Sequence, residues 1–265
     1  MKLKSFIFYT SIELRKILTY RWEFWFNFLG RTSLVILISY YLWSHIFATQ
    51  NTDQMQGYTL PQLLIYYIIA NLISKGLIGS NIGFIASEIY QGQLNRYLLY
   101  PTSYFFLKMA EYFSHSLFYF IQLLIFLCLF ALFGYWTFSP LSLLQITILF
   151  LIATFCYFQI STCVELLAFW VDNTWSLMIL VRFLFTFLGG LMVPLPFFPQ
   201  WAQNLIEYLP FSHMIFLPTQ ALMQGLALST FLQSCLILIS WSLLFSLSAQ
   251  YLWNKGRYQY SGVGI

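Results

Sequence analysis

Six apolar runs, each about 20 residues or longer, divide the chain at approximately 24–47, 60–82, 106–133, 141–170, 174–193 and 230–253. A run of that length spans the ~30 Å hydrocarbon core of a bilayer as an α-helix, with some tilt. Lipid offers backbone polar groups no partner, so spans of this kind fold as helices and predict an all-α membrane protein with six transmembrane helices. The 265 residues are 60% hydrophobic and only 8% charged, which leaves room for one transmembrane domain, 1–265, and little for a soluble one.

The 12 Lys and Arg residues orient these spans. Lys2, Lys4, Arg15, Lys16 and Arg21 precede the first run, and Lys255 and Arg257 follow the last. Arg96 lies in the second connection, with Lys75 and Lys108 at the span ends that bound it. The first, third and fifth connections carry no cation. Cationic loops stay on the cytoplasmic side, so both termini are expected there. A net charge of +4 arranged in this way serves topology and points to no nucleic acid. Residues 1–23 mix Phe6, Ile7, Ile12 and Leu18 with Glu13, Arg15 and Lys16. That pattern predicts an amphipathic helix on the inner membrane surface, retained rather than cleaved as a leader.

Two connections are unusual. The second, 83–105, is a cytoplasmic excursion in which Ile85, Ile89 and Tyr90 share one helical face while Glu88 and Gln91 point elsewhere. It predicts a short amphipathic helix interrupted near Gly92 and stopped before Pro101. The fifth, 194–229, holds five of the eight prolines yet keeps its aromatic residues. Pro194, Pro196, Pro199, Trp201, Pro210 and Pro218 mark two short helices, starting near Pro199 and Phe211. Apolar backbone of this kind is expected to dip into the outer leaflet as a re-entrant hairpin buried in protein. Gly189-Gly190 lets the fifth span end or bend just before it. The 134–140 and 171–173 connections are tight turns that make spans three to five antiparallel neighbours.

Recognisable catalytic chemistry is missing. The chain has no phosphate loop, zinc-protease or serine-hydrolase motif, and no paired-carboxylate cluster. His45, His115 and His213 lie in three different segments, and Cys128, Cys156, Cys163 and Cys235 all sit within apolar runs. The chain is therefore not read as an enzyme, and no metal or cofactor is expected on it. Among the charges within spans, three stand out: Arg31, roughly 10 Å deep in the first, Glu165 and Arg182. A charge at such depth needs a partner or water. Glu165 is expected to pair with Arg182 across the 171–173 turn, with Arg31 nearby; the alternative is that both arginines snorkel to the headgroups.

The order of these pieces resembles the membrane subunit of an ABC type-2 exporter, a permease whose ATPase is a separate polypeptide. The resemblance runs from the entry helix and Leu18-Thr-Tyr20-Arg21, through Glu88-Ile-x-x-Gly92-x-Leu94-x-x-x-Leu98-Leu99-x-Pro101. It continues with Pro194-x-x-Phe197-Phe-Pro199-x-Trp201, Leu209-Pro210-Phe211 and the tail Gly256-Arg-Tyr258-x-x-Ser261-Gly262-Val-Gly264. It implies a prokaryotic inner-membrane protein that pairs with a second permease, the same chain or a paralogue, above two ATPase copies that hold the ATP and Mg. It also implies a coupling segment at Glu88, Gln91, Gly92 and Arg96 that meets the ATPase, and a hairpin that forms the outer gate. The residues alone leave open a stand-alone secondary transporter or a membrane-integral assembly or lipid-handling subunit. The former calls for mid-membrane coupling residues and internal repeats, and no convincing repeat relates 1–133 to 134–265.

Overall fold

The structure, a computed structural model, describes residues 2–19, 21–78, 83–100, 102–133 and 139–260. Two helices open the chain, α1 (Lys2–Thr19) and α2 (Arg21–Gln50), followed by α3 (Leu60–Ile78). Short helices α4 (Phe84–Tyr90) and α5 (Leu94–Leu98) lead to the long α6 (Tyr104–Leu132) and α7 (Pro140–Leu166). After α8 (Trp175–Leu188) come α9 (Gln200–Ile206), α10 (Pro210–Met214), α11 (Phe216–Met223) and the closing α12 (Leu228–Gly256). Among the described residues there is no strand, only an isolated bridge between Met55 and Tyr58.

Among the described residues, five helical stretches are long and apolar enough to cross a membrane: Thr32–Gln50, Leu60–Ile78, Tyr104–Leu132, Pro140–Phe169 and Leu228–Gly256. The span expected at 174–193 is instead a helix of 14 residues, α8. At 1.5 Å per residue it reaches ~21 Å, less than the ~30 Å core. Its end is set by the glycines. Gly189 is the C-cap and Gly190 follows at φ +86, a backbone region that favours glycine.

The core centres on α3, where Leu63, Tyr66, Ile73 and Leu77 are wholly buried between α2, α6, α7 and α11. Two α3 tyrosines fasten the turn after α8. Tyr66 Oη donates to the Gly190 carbonyl at 2.6 Å, and Tyr67 Oη donates to that of Met192 at 3.0 Å. Trp43 of α2 joins them by donating Nε1–H to Tyr67 Oη at 3.1 Å. A Cβ at Gly190 would lie 2.8 Å from Tyr66 Oη, so this position needs glycine for space as well as for φ.

The most extensive helix pairing is α7 with α12. Ser234, Ser242, Ala249 and Gly256 lie on the buried face of α12. Ala153, Cys156 and Cys163 are buried on α7, and the Cys163 thiol donates to the Phe245 carbonyl. Small residues let two backbones approach closely, which is what holds helices together where lipid replaces water. The amphipathic α1 packs on α6, with Phe6 against Phe106 and Ser114 Oγ donating to the Thr10 carbonyl.

The 194–229 segment folds at the end of α7 opposite to α4. Its prolines stand where a missing N–H costs nothing. Pro194 and Pro199 cap a 3-10 turn and α9, Pro210 is the first residue of α10, and Pro218 lies in the first turn of α11. The second of the two expected helices is broken at Ile215 into α10 and α11, so the segment carries three. Trp201 projects from α9 with 72% of its surface exposed.

Candidate functional site

The 83–100 segment is a helix pair joined by Gly92, whose φ of +70 allows the chain to reverse between α4 and α5. Helix α4 starts at Gly83, which has no side chain to cap it. The cap comes from α7. The Glu165 carboxylate, 2% exposed, accepts the N–H groups of Ile85 at 2.7 Å and Ala86 at 3.3 Å through Oε2. These are donors that a helix start leaves unsatisfied, and Glu165 supplies their acceptor.

Glu165 therefore does not pair with Arg182. Arg182 is exposed on α8, while the carboxylate is taken up by the α4 backbone. Two adjacent N–H groups supplied at close range satisfy Glu165 without an arginine. The side chain of Arg31, the third member of the expected network, lies outside the described residues.

Glu88 also differs from expectation. It points inward, 5% exposed, rather than away from the packed face. Its Oε1 accepts from Lys108 Nζ at 2.7 Å, Tyr97 Oη at 2.7 Å and Arg96 Nη2 at 3.3 Å, and its Oε2 accepts from Tyr104 Oη at 2.7 Å. One carboxylate thus joins α4 to both α5 and α6. Burial alone would raise the Glu88 pKa; the bonds from Lys108, Tyr104 and Tyr97 outweigh it and hold the carboxyl below its usual value. Lys108 is shared with Glu111 at 3.2 Å, and the Tyr104 ring stacks on Trp253 of α12, 5.2 Å between centroids.

Further bonds complete the mounting. Tyr90 Oη donates to the Val171 carbonyl at 2.8 Å, tying the end of α4 to the turn between α7 and α8. The Leu94 N–H donates to Tyr260 Oη at 3.2 Å, tying α5 to the tail. Ile85 and Ile89 are buried as their spacing requires, against Leu166 and Ala168. Gln91, Asn95 and Arg96 face outward, as do Leu99 and Tyr100, which are 86% and 52% exposed. The segment is a platform fixed at several points beneath and open on its other surface.

Of the four residues expected in this segment, Gln91 and Arg96 are exposed, Gly92 makes the turn, and Glu88 is a buried anchor. Lys108, Tyr97, Tyr104 and Tyr90 were not singled out by sequence. The i, i+3 spacing of Lys108 and Glu111 was a usable signal for the first; nothing local marks the tyrosines as partners of Glu88.

The family described as ABC-2 family transporter protein matches residues 34–264, most of the chain and the whole of this site. No curated protein matches it.

Proposed function

The chain belongs to the ABC-2 transporter family, and from that premise we propose that it is the permease subunit of an ATP-driven exporter, working with a separate ATPase. Membership makes it a membrane transport component of an ABC transporter; the finer reading comes from the 83–100 platform. A soluble motor that closes on ATP needs a rigid handle, because a flexible loop would absorb the movement. The observation that carries the reading is that Glu88 and Glu165 fix α4 and α5 to α6 and α7 while leaving Gln91, Arg96, Leu99 and Tyr100 outward. An exposed leucine and tyrosine beside an arginine suit a protein groove better than bulk water.

In this reading both termini and the platform face the cytoplasm of a prokaryotic cell, following the cation distribution. Helix α8 with the 189–193 turn completes a sixth crossing, its shortness made up by the 194–229 hairpin re-entering from outside. Two permeases, identical or paralogous, pair over two ATPase copies, with the hairpin and its prolines as the outer gate. The Tyr66 and Tyr67 bonds to Gly190 and Met192 give α3 a hold on the base of that gate.

The test is affinity purification of the chain from its own membranes. Wild type is expected to bring down an ATP-hydrolysing chain in stoichiometric amount, and Arg96→Glu with Leu99→Glu to lose it while inserting normally. Recovery of the chain without any ATPase, or ATP-independent transport by the chain alone, would overturn the proposal.

A further inference from the structure

Helix α8 is held lightly along its length and firmly at its two ends. Only Met178 and Phe185 of its 14 residues are buried. They stand seven positions apart, so they mark one narrow stripe and not an interdigitating face. Phe185 packs edge-on against Tyr157 of α7, 4.6 Å between ring centroids. A helix with so narrow a contact slides or rocks at little cost, because few side chains must repack.

The end of α8 nearest the platform is gripped by Tyr90, the last residue of α4. Its Oη donates to the Val171 carbonyl at 2.8 Å and lies 3.4 Å from Thr174 Oγ1. The phenol has one proton, spent on Val171, so the threonine hydroxyl can donate in return. Thr174 is 1% exposed and is the N-cap of α8, a position where a threonine ordinarily caps its own helix. Here its side chain makes no cap, and Asn173 Oδ1 takes the Trp175 N–H instead. The hydroxyl is turned to Tyr90. The start of α4 meets α8 as well, since a Cβ at Gly83 would lie 3.3 Å from Met178 Cε.

Two routes leave the platform, and they differ in stiffness. Glu165, Ile85 and Ile89 bind α4 to α7 and the turn after it, and α7 is locked to α12 by the most extensive helix pairing. A push on α4 therefore finds α8 the easier element to displace, with Tyr90 as the attachment. At the far end Tyr66 and Tyr67 hold the carbonyls of Gly190 and Met192, so a displaced α8 loads the 189–193 turn.

We propose that Tyr90 is the positioning residue through which the platform moves α8, and that α8 rocks as a rod against α7. The inference rests on the ATPase reading above and adds to it the element moved and the contact that moves it.

The test uses the permease–ATPase complex in nanodiscs, in chains lacking the four native cysteines. A bimane fluorophore is placed at Leu180→Cys on α8 or, as a reference, at Leu151→Cys on α7, both exposed positions. Trapping with MgATP and vanadate is expected to shift emission at Leu180 more than at Leu151. Tyr90→Phe keeps the ring and should leave ATPase recovery, hydrolysis rate and thermal midpoint close to wild type. It is expected to lower the ratio of shifted to unshifted Leu180 probe about threefold, the worth of one hydrogen bond. A residue serving the fold alone would lower the midpoint and leave that ratio intact. Absence of any ATPase would overturn the reading on which this rests, and this inference with it. With ATPase present and hydrolysing, a silent Leu180 probe, an equal shift at Leu151 or an unchanged ratio in Tyr90→Phe would overturn this inference alone.

Discussion

Lys108 and Glu88, 20 positions apart in sequence, meet at 2.7 Å with both side chains almost wholly withdrawn from solvent. A withdrawn ion pair is weak evidence of stability in itself, but it is very sensitive to losing one member. That asymmetry makes the pair a strong probe of how α4 is mounted on α6.

Lys108→Met leaves the Glu88 carboxylate with two tyrosine hydroxyls and the half-exposed Arg96. The expected cost is about 3 kcal/mol, seen as a lower thermal midpoint in detergent. Adding Glu88→Gln to that variant removes the stranded charge and should recover part of the loss. A double variant as unstable as Lys108→Met alone would show that the pair does not set the energetics.

The same carboxylate sets a pH response. Its folded pKa lies below the ordinary 4.5, so its contribution is complete above 4.5 and is lost as pH falls through the lower folded value. Acidification to that range should loosen the 83–100 platform, measured as hydrogen exchange at α4 and α5. Glu88→Gln is expected to remove this acid-dependent step while leaving exchange in α12 unchanged.

Glu165→Leu should free α4 at its start, since the N–H groups of Ile85 and Ala86 lose their acceptor at a cost of about 1–3 kcal/mol each. A cysteine at Ala86, in a background lacking the four native cysteines, should then react with a soluble maleimide much faster than in wild type. Glu165→Gln keeps one acceptor oxygen and should be intermediate. Exchanging the charges, Glu165→Arg with Arg182→Glu, should give no rescue, with coupling within about 0.5 kcal/mol of zero.

The long helices were legible because a bilayer allows few alternatives, and runs such as 106–133 and 230–253 carry that constraint in every residue. Gly92 and Gly189-Gly190 were legible as interruptions for a similar reason: the backbone conformation they permit is local. The side-chain partners were not. Hydropathy places Glu165 and Arg182 at similar depth, and charge alone suggests a pair. It cannot show that α4 folds back over α7 and brings two backbone N–H groups to the carboxylate first. Glu88 was assigned outward because helical phase separates it from Ile85 and Ile89; α5 and α6 then close over that side and turn it into an interior. The length of α8 was missed because the apolar run continues through Gly190 although the helix does not.

Gly190→Ala places a methyl group 2.8 Å from Tyr66 Oη in a backbone region that L-residues avoid. The expected loss is about 1–3 kcal/mol in thermal stability. Tyr66→Phe in the same chain removes the clashing hydroxyl and should restore a minor part, because the strained φ remains. Full restoration would place the whole cost in the clash.

The tail has a mechanical consequence. Tyr260 receives the Leu94 N–H while Trp253, in the last turn of α12, lies flat against Tyr104. A plate pinned at separated points can tilt but cannot slide. Force applied to α5 therefore reaches the last helix as torque, at the same moment as it reaches α6 and α7. Chains trimmed before Tyr260 would retain the plate and lose one of its pivots.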